Sequence, residues 1–181
     1  MSSNLIIAVT GGVAAYKSAA LTSQLVQEGH QVRAVMTTAA MRFLGPATLA
    51  ALTGKSVVTG LDDPQFPLGP HIELARDADL LCVAPATANF LAKAAQGIAD
   101  DLLSTLYLCF TGTVLIAPAM NVEMWQHPAV LRNMEQLRSD GVQVVDPEEG
   151  WLSCRTMGAG RMASPESIAQ RIGELLGPAS T

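Results

Sequence analysis

Five short, continuously apolar segments alternate with amphipathic stretches along this chain, and that alternation limits its fold more than any other feature. The apolar segments are residues 5–9, 32–36, 80–84, 114–117 and 142–145. They are apolar along their whole length rather than at every second position, which is typical of strands covered on both faces. Strand–helix alternation with short connections predicts a single-domain α/β fold built on a doubly wound parallel sheet, Rossmann/flavodoxin-like in type.

The amphipathic stretches predict the helices of this fold. The first runs through residues 14–25 and is closed by Gly29, and the others are expected at 88–95, 102–110, 128–139 and 164–176. Ser164 is expected to cap the last helix, with Pro165 in its first turn. Two stretches, 59–70 and the glycine-rich 148–163, have no regular pattern.

Composition excludes several classes of protein. Of the 181 residues, 49% are apolar and 15% charged, which is too apolar for a disordered chain. The net charge of −5 and the lack of a basic block argue against a nucleic-acid partner. No apolar run reaches the ~18 residues that span a membrane, and no basic residue precedes the first apolar run as in a signal peptide. We therefore expect a cytoplasmic protein with no membrane partner.

The three cysteines predict neither a disulfide framework nor a metal site. Cys82, Cys109 and Cys154 are odd in number and widely spaced. Cys82 and Cys109 lie in apolar segments and are expected to pack in the core. Cys154 lies in the glycine-rich stretch beside two arginines, whose charge favours a reactive thiolate, although an exposed bystander thiol is the alternative.

Small and polar residues follow the predicted strands, where parallel sheets bind ligands. Gly11 and Gly12 join the first strand to a helix, so their backbone could approach a phosphate, or they could form a tight turn with no ligand. The spacing is not G-x-G-x-x-G, and no acidic residue follows the second strand to hold a ribose. A mononucleotide is therefore favoured over a dinucleotide.

Other polar residues at the strand ends have two possible roles. Thr37, Thr38 and the segment 87–89 could bind a ligand or cap helices. Asn121 could cap a short turn or donate its amide to a substrate carboxylate. Histidine side chains ordinarily titrate near neutrality, which makes His71 a candidate for acid–base chemistry, although a lone histidine is more often structural.

Three segments, taken in order, resemble the homo-oligomeric flavin-containing cysteine decarboxylases. They are residues 71–89, which include His71-Ile72-Glu73-Leu74 and Ala84-Pro85-Ala86-Thr87-Ala88-Asn89, the Pro-Ala-Met-Asn-x-x-Met-Trp segment at 118–125, and the segment around Cys154. The resemblance covers nearly the whole chain, from residue 10 to residue 162.

The resemblance implies FMN as the cofactor and a decarboxylase (carboxy-lyase) activity. The expected reaction converts 4′-phosphopantothenoylcysteine, an acyl-cysteine, to 4′-phosphopantetheine in coenzyme A biosynthesis through thioaldehyde and enethiolate intermediates. It implies catalytic roles for His71 and Cys154 and substrate contacts for Asn121, Ser153 and Met162. The implied flavin-binding residues are Gly12, Val13, Thr37, Ala86, Thr87, Ala88, Asn89 and Ala119.

The resemblance also implies an architecture. Members form trimers or dodecamers with FMN between subunits, and in bacteria the domain is often fused to the synthetase that makes the substrate. We expect one decarboxylase domain over 1–181, free-standing or part of such a fusion, with a flap at about 148–163. Arg155 follows Cys154 where relatives usually have glycine, so the flap must fold differently if a positive φ is needed there.

Three alternatives remain open. A peptidyl-cysteine oxidative decarboxylase of the lantibiotic-maturation type stops at the enethiol and lacks the flap cysteine, so Cys154 argues against it. A non-catalytic flavoprotein regulator usually carries an acidic tail. A flavin prenyltransferase has a related fold, but the segment 118–125 does not suit it.

Overall fold

The computed structural model describes residues 2–177, in which a five-stranded parallel sheet carries helices on both faces. The strands of this sheet are β1 (Asn4–Val9), β2 (Gln31–Met36), β3 (Leu80–Ala86), β4 (Thr113–Pro118) and β5 (Gln143–Val144). Their order is β2-β1-β3-β4-β5 and every pairing is parallel. The predicted doubly wound sheet is therefore confirmed. The strand order reverses at β1, so a crevice opens at the carboxyl ends of β1 and β3.

Eight helices connect and cover the strands in the described part of the chain. They are α1 (Ala15–Gln27), α2 (Pro46–Thr53), α3 (Pro70–Asp77), α4 (Ala88–Gln96), α5 (Leu102–Cys109), α6 (Val122–Trp125), α7 (Pro128–Ser139) and α8 (Pro165–Leu176). A short 3₁₀ helix, Ala40–Arg42, follows β2.

The continuous apolar runs arise because each strand faces two cores. In β1, Leu5 and Ile7 pack into the cluster that includes residues of α1, α2 and α8. Ile6 and Ala8 point the other way, into the cluster that includes residues of α3, α4, α5 and α7. Since successive side chains of a strand lie on opposite faces, both sets must be apolar.

The structure also corrects several sequence-based expectations. The five predicted helices are confirmed within about two residues, the usual uncertainty of a helix end, but α2, α3 and α6 were not predicted. Residues 148–163 are not irregular, because β6 (Glu148–Trp151) and β7 (Met157–Arg161) form an antiparallel hairpin. Cys109 is exposed rather than in the core, whereas Cys82 is buried as expected.

Neither a membrane span nor a metal centre is found between residues 2 and 177. No helix there is long and apolar enough to cross a bilayer. No group of three or more histidine, cysteine, aspartate or glutamate side chains in that part of the chain could hold a metal ion.

Candidate functional site

A cavity of about 720 Å³ opens at the carboxyl ends of the central strands, beneath the β6–β7 hairpin. Most residues implicated by the sequence line it together. They are Gly12, Val13, Thr37, Thr87, Ala88, Asn89, Ala119, Asn121, Ser153, Cys154 and Met162. Thr38 lines it as well. The cavity therefore lies at the edge of the sheet where the topology places a ligand.

A buried threonine joins the two turns that border the crevice. The Thr10 hydroxyl donates to the Pro85 carbonyl oxygen at 2.6 Å and accepts from the Thr87 backbone N–H at 3.1 Å. Thr87 in turn accepts from the Phe90 N–H at 3.4 Å and so caps α4. Thr87 therefore caps a helix, which was one of its two predicted roles, and it also lines the cavity.

The turn after β1, which borders the cavity, requires a glycine. A Cβ added at Gly11 would lie 2.5 Å from the Ala39 Cβ, so only glycine lets the turns after β1 and β2 pack this closely. The helix that follows, α1, has no side-chain cap and no acidic residue in its first turn. Its positive end is therefore left available to an anion in the cavity.

Asn121 can serve both roles that the sequence left open. Its side-chain oxygen accepts from the Met124 backbone N–H at 2.8 Å, which confirms the capping role at the start of α6. Its amide NH₂ group makes no hydrogen bond to residues 2–177, and the residue lines the cavity. An uncharged donor is thus left for a ligand carboxylate.

The hairpin is docked against the rest of the domain through two glycines. The Met120 N–H donates to the Gly160 carbonyl oxygen at 3.0 Å. A Cβ at Gly160, where φ is +121°, would collide with the Met120 carbonyl oxygen, and one at Gly158 would lie 3.2 Å from the Val122 Cβ. A side chain at Gly160 would therefore push the hairpin away from the segment after β4, and one at Gly158 would require a small shift of Val122.

The tip of the hairpin keeps a positive-φ turn without a glycine. Arg155 has φ +66°, and no other non-glycine residue among residues 2–177 has a positive φ. Two backbone hydrogen bonds of 2.9 Å close the turn. The Arg155 N–H donates to the Leu152 carbonyl oxygen, and the Leu152 N–H donates to the Thr156 carbonyl oxygen. Arg155 itself therefore adopts the positive φ for which a glycine was expected, at a cost of about 1 kcal/mol.

The thiol of Cys154 stands at this tip and lines the cavity. Its Sγ lies 3.0 Å from the Thr156 hydroxyl, and the residue is exposed. Ser153 lines the cavity beside it, and Met162, at the base of the hairpin, is buried. The hairpin therefore brings a nucleophilic or proton-donating group over the crevice.

Two implicated residues do not line the cavity. His71 lies on α3, where its Nδ1 is buried without a hydrogen-bond partner and its carbonyl oxygen accepts from the Cys109 Sγ at 3.2 Å. Ala86 is fully buried, and its carbonyl oxygen accepts from the Ala119 N–H at 3.1 Å. Ala86 therefore positions the turn after β4.

The cavity also contains charged residues that were not predicted from the sequence. Lys17, Lys93, Asp101 and Arg161 all line it. Lys93 is held by ion pairs to Asp100 at 2.6 Å and Asp101 at 3.0 Å, and the hydrogen bond to Asp100 raises its pKa. A signal existed for Lys17, since it is the one charged residue of the apolar and small-residue stretch 14–25.

Comparison with known proteins agrees with this geometry. Residues 1–177 match the protein family described as Flavoprotein. This chain belongs to the flavoprotein family. The coenzyme A biosynthesis bifunctional protein CoaBC of Bacillus subtilis (strain 168) is 49% identical over 168 residues, which are 92% of this chain and 41% of that protein. The chain therefore spans less than half of that relative.

Solved structures of flavoproteins share the fold. The FMN-dependent cysteine decarboxylase SpaF matches with a TM-score of 0.84 and 37% identity, over 97% of this chain and 98% of that one. A PPC decarboxylase mutant complexed with pantothenoylaminoethenethiol matches with a TM-score of 0.84 and 32% identity, over 95% and 97% of the two chains. The resemblance to flavin-containing cysteine decarboxylases is confirmed.

Proposed function

We propose that this chain is an FMN-dependent decarboxylase that converts 4′-phosphopantothenoylcysteine to 4′-phosphopantetheine in coenzyme A biosynthesis. One observation carries the proposal: a single cavity combines the glycine turn at Gly11, the free amide of Asn121 and the hairpin thiol of Cys154. The similarity to CoaBC of Bacillus subtilis and to the PPC decarboxylase supports the same substrate.

The cavity fits FMN on its own geometry. Its volume of about 720 Å³ is within the range typical of cofactor sites, on the order of 300–1,000 Å³. The glycine turn and the uncapped start of α1 suit a phosphate. The proposed flavin-binding set is Gly12, Val13, Thr37, Ala86, Thr87, Ala88, Asn89 and Ala119, with Ala86 acting through the position of its neighbours. When bound, the flavin supplies an acceptor, and later a donor, of hydride.

The residues of the chain bind, orient and protonate the substrate. The Asn121 amide donates to the substrate carboxylate and orients it for loss of CO₂. The hairpin, the proposed flap over about 148–163, excludes water, and Ser153 and Met162 contact the substrate from it. Cys154 donates the proton that completes the second half of the reaction. A positioned acid of this kind is worth about 10²–10⁴ in rate.

His71 is proposed to act in the cavity of a neighbouring subunit of a homotrimer or homododecamer. Its place on α3, outside the cavity of its own chain, supports this assignment. Large apolar side chains exposed in the single chain support a subunit interface. They include Val13, Tyr16, Phe43, Leu68 and Leu108. His71 would assist the oxidation and decarboxylation half of the reaction.

We propose that residues 1–181 act as one decarboxylase domain in a reducing, cytoplasmic environment. Three free thiols, Cys82, Cys109 and Cys154, are compatible with such a compartment.

Substituting the hairpin thiol tests the reaction. With bound FMN and 4′-phosphopantothenoylcysteine, Cys154→Ser should still release CO₂ but leave the oxidised enethiol, since the proton donor is lost. Without oxygen it should form one enethiol per reduced flavin, and in air it should form more, because dioxygen reoxidises the flavin. The products are separated by mass spectrometry. Cys109→Ser is the matched control, because Cys109 is an exposed thiol outside the cavity whose serine replacement can still donate to the His71 carbonyl oxygen. Normal reduced product from Cys154→Ser would reject the assignment.

Mixed oligomers test the position of His71. The His71→Asn protein should bind flavin but release little CO₂, and the Cys154→Ser protein should make no reduced product. Co-expressing the two variants should restore some 4′-phosphopantetheine formation, because sites shared between subunits can then receive both intact residues. Full activity of His71→Asn alone, or a flavin-binding monomer in light scattering, would contradict the proposal.

The substrate class is tested by direct competition. A peptidyl-cysteine decarboxylase would act on a peptide ending in cysteine and stop at the enethiol. The proposed enzyme should prefer 4′-phosphopantothenoylcysteine and form the reduced thiol, since Cys154 lines its cavity. Preference for the peptide would favour the alternative.

A further inference from the structure

Two positive charges lie in the cavity without an acidic partner. Lys17 and Arg161 both line it, and neither forms an ion pair with an acidic residue in 2–177. Lys93, the third cation there, is neutralised by Asp100 and Asp101. Glu148 lies opposite Arg161 in the hairpin, but its Oε1 accepts from the Ser164 N–H at 3.0 Å and it forms no ion pair with either cation. Two cations therefore line the cavity with no ion pair of their own, which indicates an anionic ligand.

The ammonium of Lys17 has donors left over. The side chain is nine-tenths buried, with 8% of the residue exposed, and its Nζ donates to the Met162 carbonyl oxygen at 2.6 Å. An ammonium carries three N–H donors, and no second acceptor is found among residues 2–177. Buried polar groups normally have hydrogen-bond partners, so the unused N–H donors of Lys17 indicate an oxygen-rich ligand.

The surroundings of Lys17 disfavour an isolated cation. It lies in the first turn of α1, the positive end of that helix. Burial, and then the charge of Arg161, lower the pKa of Lys17, and the charges of Glu148 and Glu166 only partly oppose this. An anion bound by both side chains would offset the burial of the Lys17 charge and the repulsion between Lys17 and Arg161.

The position of Arg161 depends on a glycine of the facing strand. A Cβ at Gly150 would lie 2.9 Å from the Arg161 Nη1 and 3.0 Å from its Cδ. The bare backbone of Gly150 therefore leaves room for the arginine to lie across the hairpin and line the cavity. A planar guanidinium can bind a phosphate through two parallel hydrogen bonds.

We propose that Lys17 and Arg161 form an anion subsite at the base of the hairpin that binds the phosphate monoester of the acyl-cysteine substrate. This inference rests on the proposed function. Both the flavin and the substrate bring a phosphate into the cavity. The glycine turn at Gly11 already suits that of the flavin, whereas Arg161 belongs to the hairpin that covers the substrate. The substrate phosphate is therefore the ligand assigned to this subsite.

Paired substrates with and without the phosphate test the subsite. Arg161→Gln should lower kcat/KM for 4′-phosphopantothenoylcysteine by about 10- to 100-fold, the range for one lost charge-assisted hydrogen bond. It should lower kcat/KM for unphosphorylated pantothenoylcysteine by a much smaller factor. The binding preference for 4′-phosphopantetheine over pantetheine, measured by calorimetry, should fall by the same factor. Arg161 is exposed, so its replacement removes no core contact.

Arg155→Gln is the matched control, because Arg155 lies on the same hairpin but does not line the cavity. It should affect both substrates equally. An equal effect of Arg161→Gln on both substrates would overturn the inference. So would a loss of FMN affinity without a loss of riboflavin affinity, since the subsite would then serve the flavin phosphate.

The two proposals fail in different ways. If the wild-type protein releases CO₂ from neither substrate, the proposed function is wrong, and the calorimetric comparison of 4′-phosphopantetheine with pantetheine still decides the subsite. If CO₂ is released but Arg161→Gln lowers kcat/KM equally for the phosphorylated and unphosphorylated substrates, only the subsite is wrong.

Discussion

Replacing Gly160 by alanine should uncouple the two halves of the proposed reaction. The added Cβ would collide with the Met120 carbonyl oxygen at a residue whose φ is +121°, and the 3.0 Å bond from the Met120 N–H would be lost. Backbone strain of this kind costs about 1–3 kcal/mol, and the hydrogen bond contributes about 0.5–1.5 kcal/mol. A total near 3 kcal/mol would lower the equilibrium constant for hairpin docking roughly 100-fold.

The expected phenotype is selective, because the hairpin forms its own two-stranded sheet apart from the central one. Gly160→Ala should keep FMN and, at saturating substrate, still release CO₂ but yield the enethiol, since Cys154 is no longer held over the substrate. Its KM should rise, because Ser153, Met162 and Arg161 lie on the same hairpin. Product ratios are measured by mass spectrometry and hairpin docking by limited proteolysis. Gly173→Ala in α8 is the matched control, because a Cβ there meets no atom within 4 Å. Wild-type product ratios and protease resistance in Gly160→Ala would refute the reasoning.

Three further predictions concern local energetics. Arg155→Gly should relieve about 1 kcal/mol of positive-φ strain and slow proteolysis of the hairpin tip, and unchanged cleavage would argue against strain there. Burial alone would raise the pKa of Asp101, but hydrogen bonds from Ser104 and Lys93 hold it below its ordinary value of 3.8. Its contribution to stability should therefore be present above that value and be lost as the pH falls through the lower folded-state pKa, so urea unfolding of Asp101→Asn should depend less on acid than wild type. Burial raises the pKa of Cys82 to about 12, so iodoacetamide should modify it only in denaturant, and modification of the folded protein would contradict its burial.

The strands were predictable because their signal is local. The runs that became β1 and β3 are apolar at every position, and both faces of these strands are covered. The last strand was harder, since β5 has only two residues and neither is fully buried. The helices α2 and α3 have eight residues each, which is about two turns and too short for periodicity to be read. Their signals were Pro46 and Pro70 at the first helical position.

The candidate site was partly predictable for a topological reason. Carboxyl ends of parallel strands share one edge of the sheet, so polar residues after separate strands converge there. Thr37, Thr87 and Asn121 are brought together in this way. Lys17 and Arg161 could not be predicted as a pair, because nothing near either residue in sequence shows that the hairpin packs over the first turn of α1.

By itself, the sequence determined the parallel sheet and the edge at which polar residues converge, since these depend on local apolar runs and strand order. The roles of Asn121 and Cys154 remain predictions. The tertiary structure alone decided that His71 lies outside its own cavity, that Arg155 takes a positive φ, and that Lys17 and Arg161 share one end of the site. The physical reason is that burial, strain and charge pairing depend on which distant segments pack together, and the residues adjacent in sequence do not specify that packing.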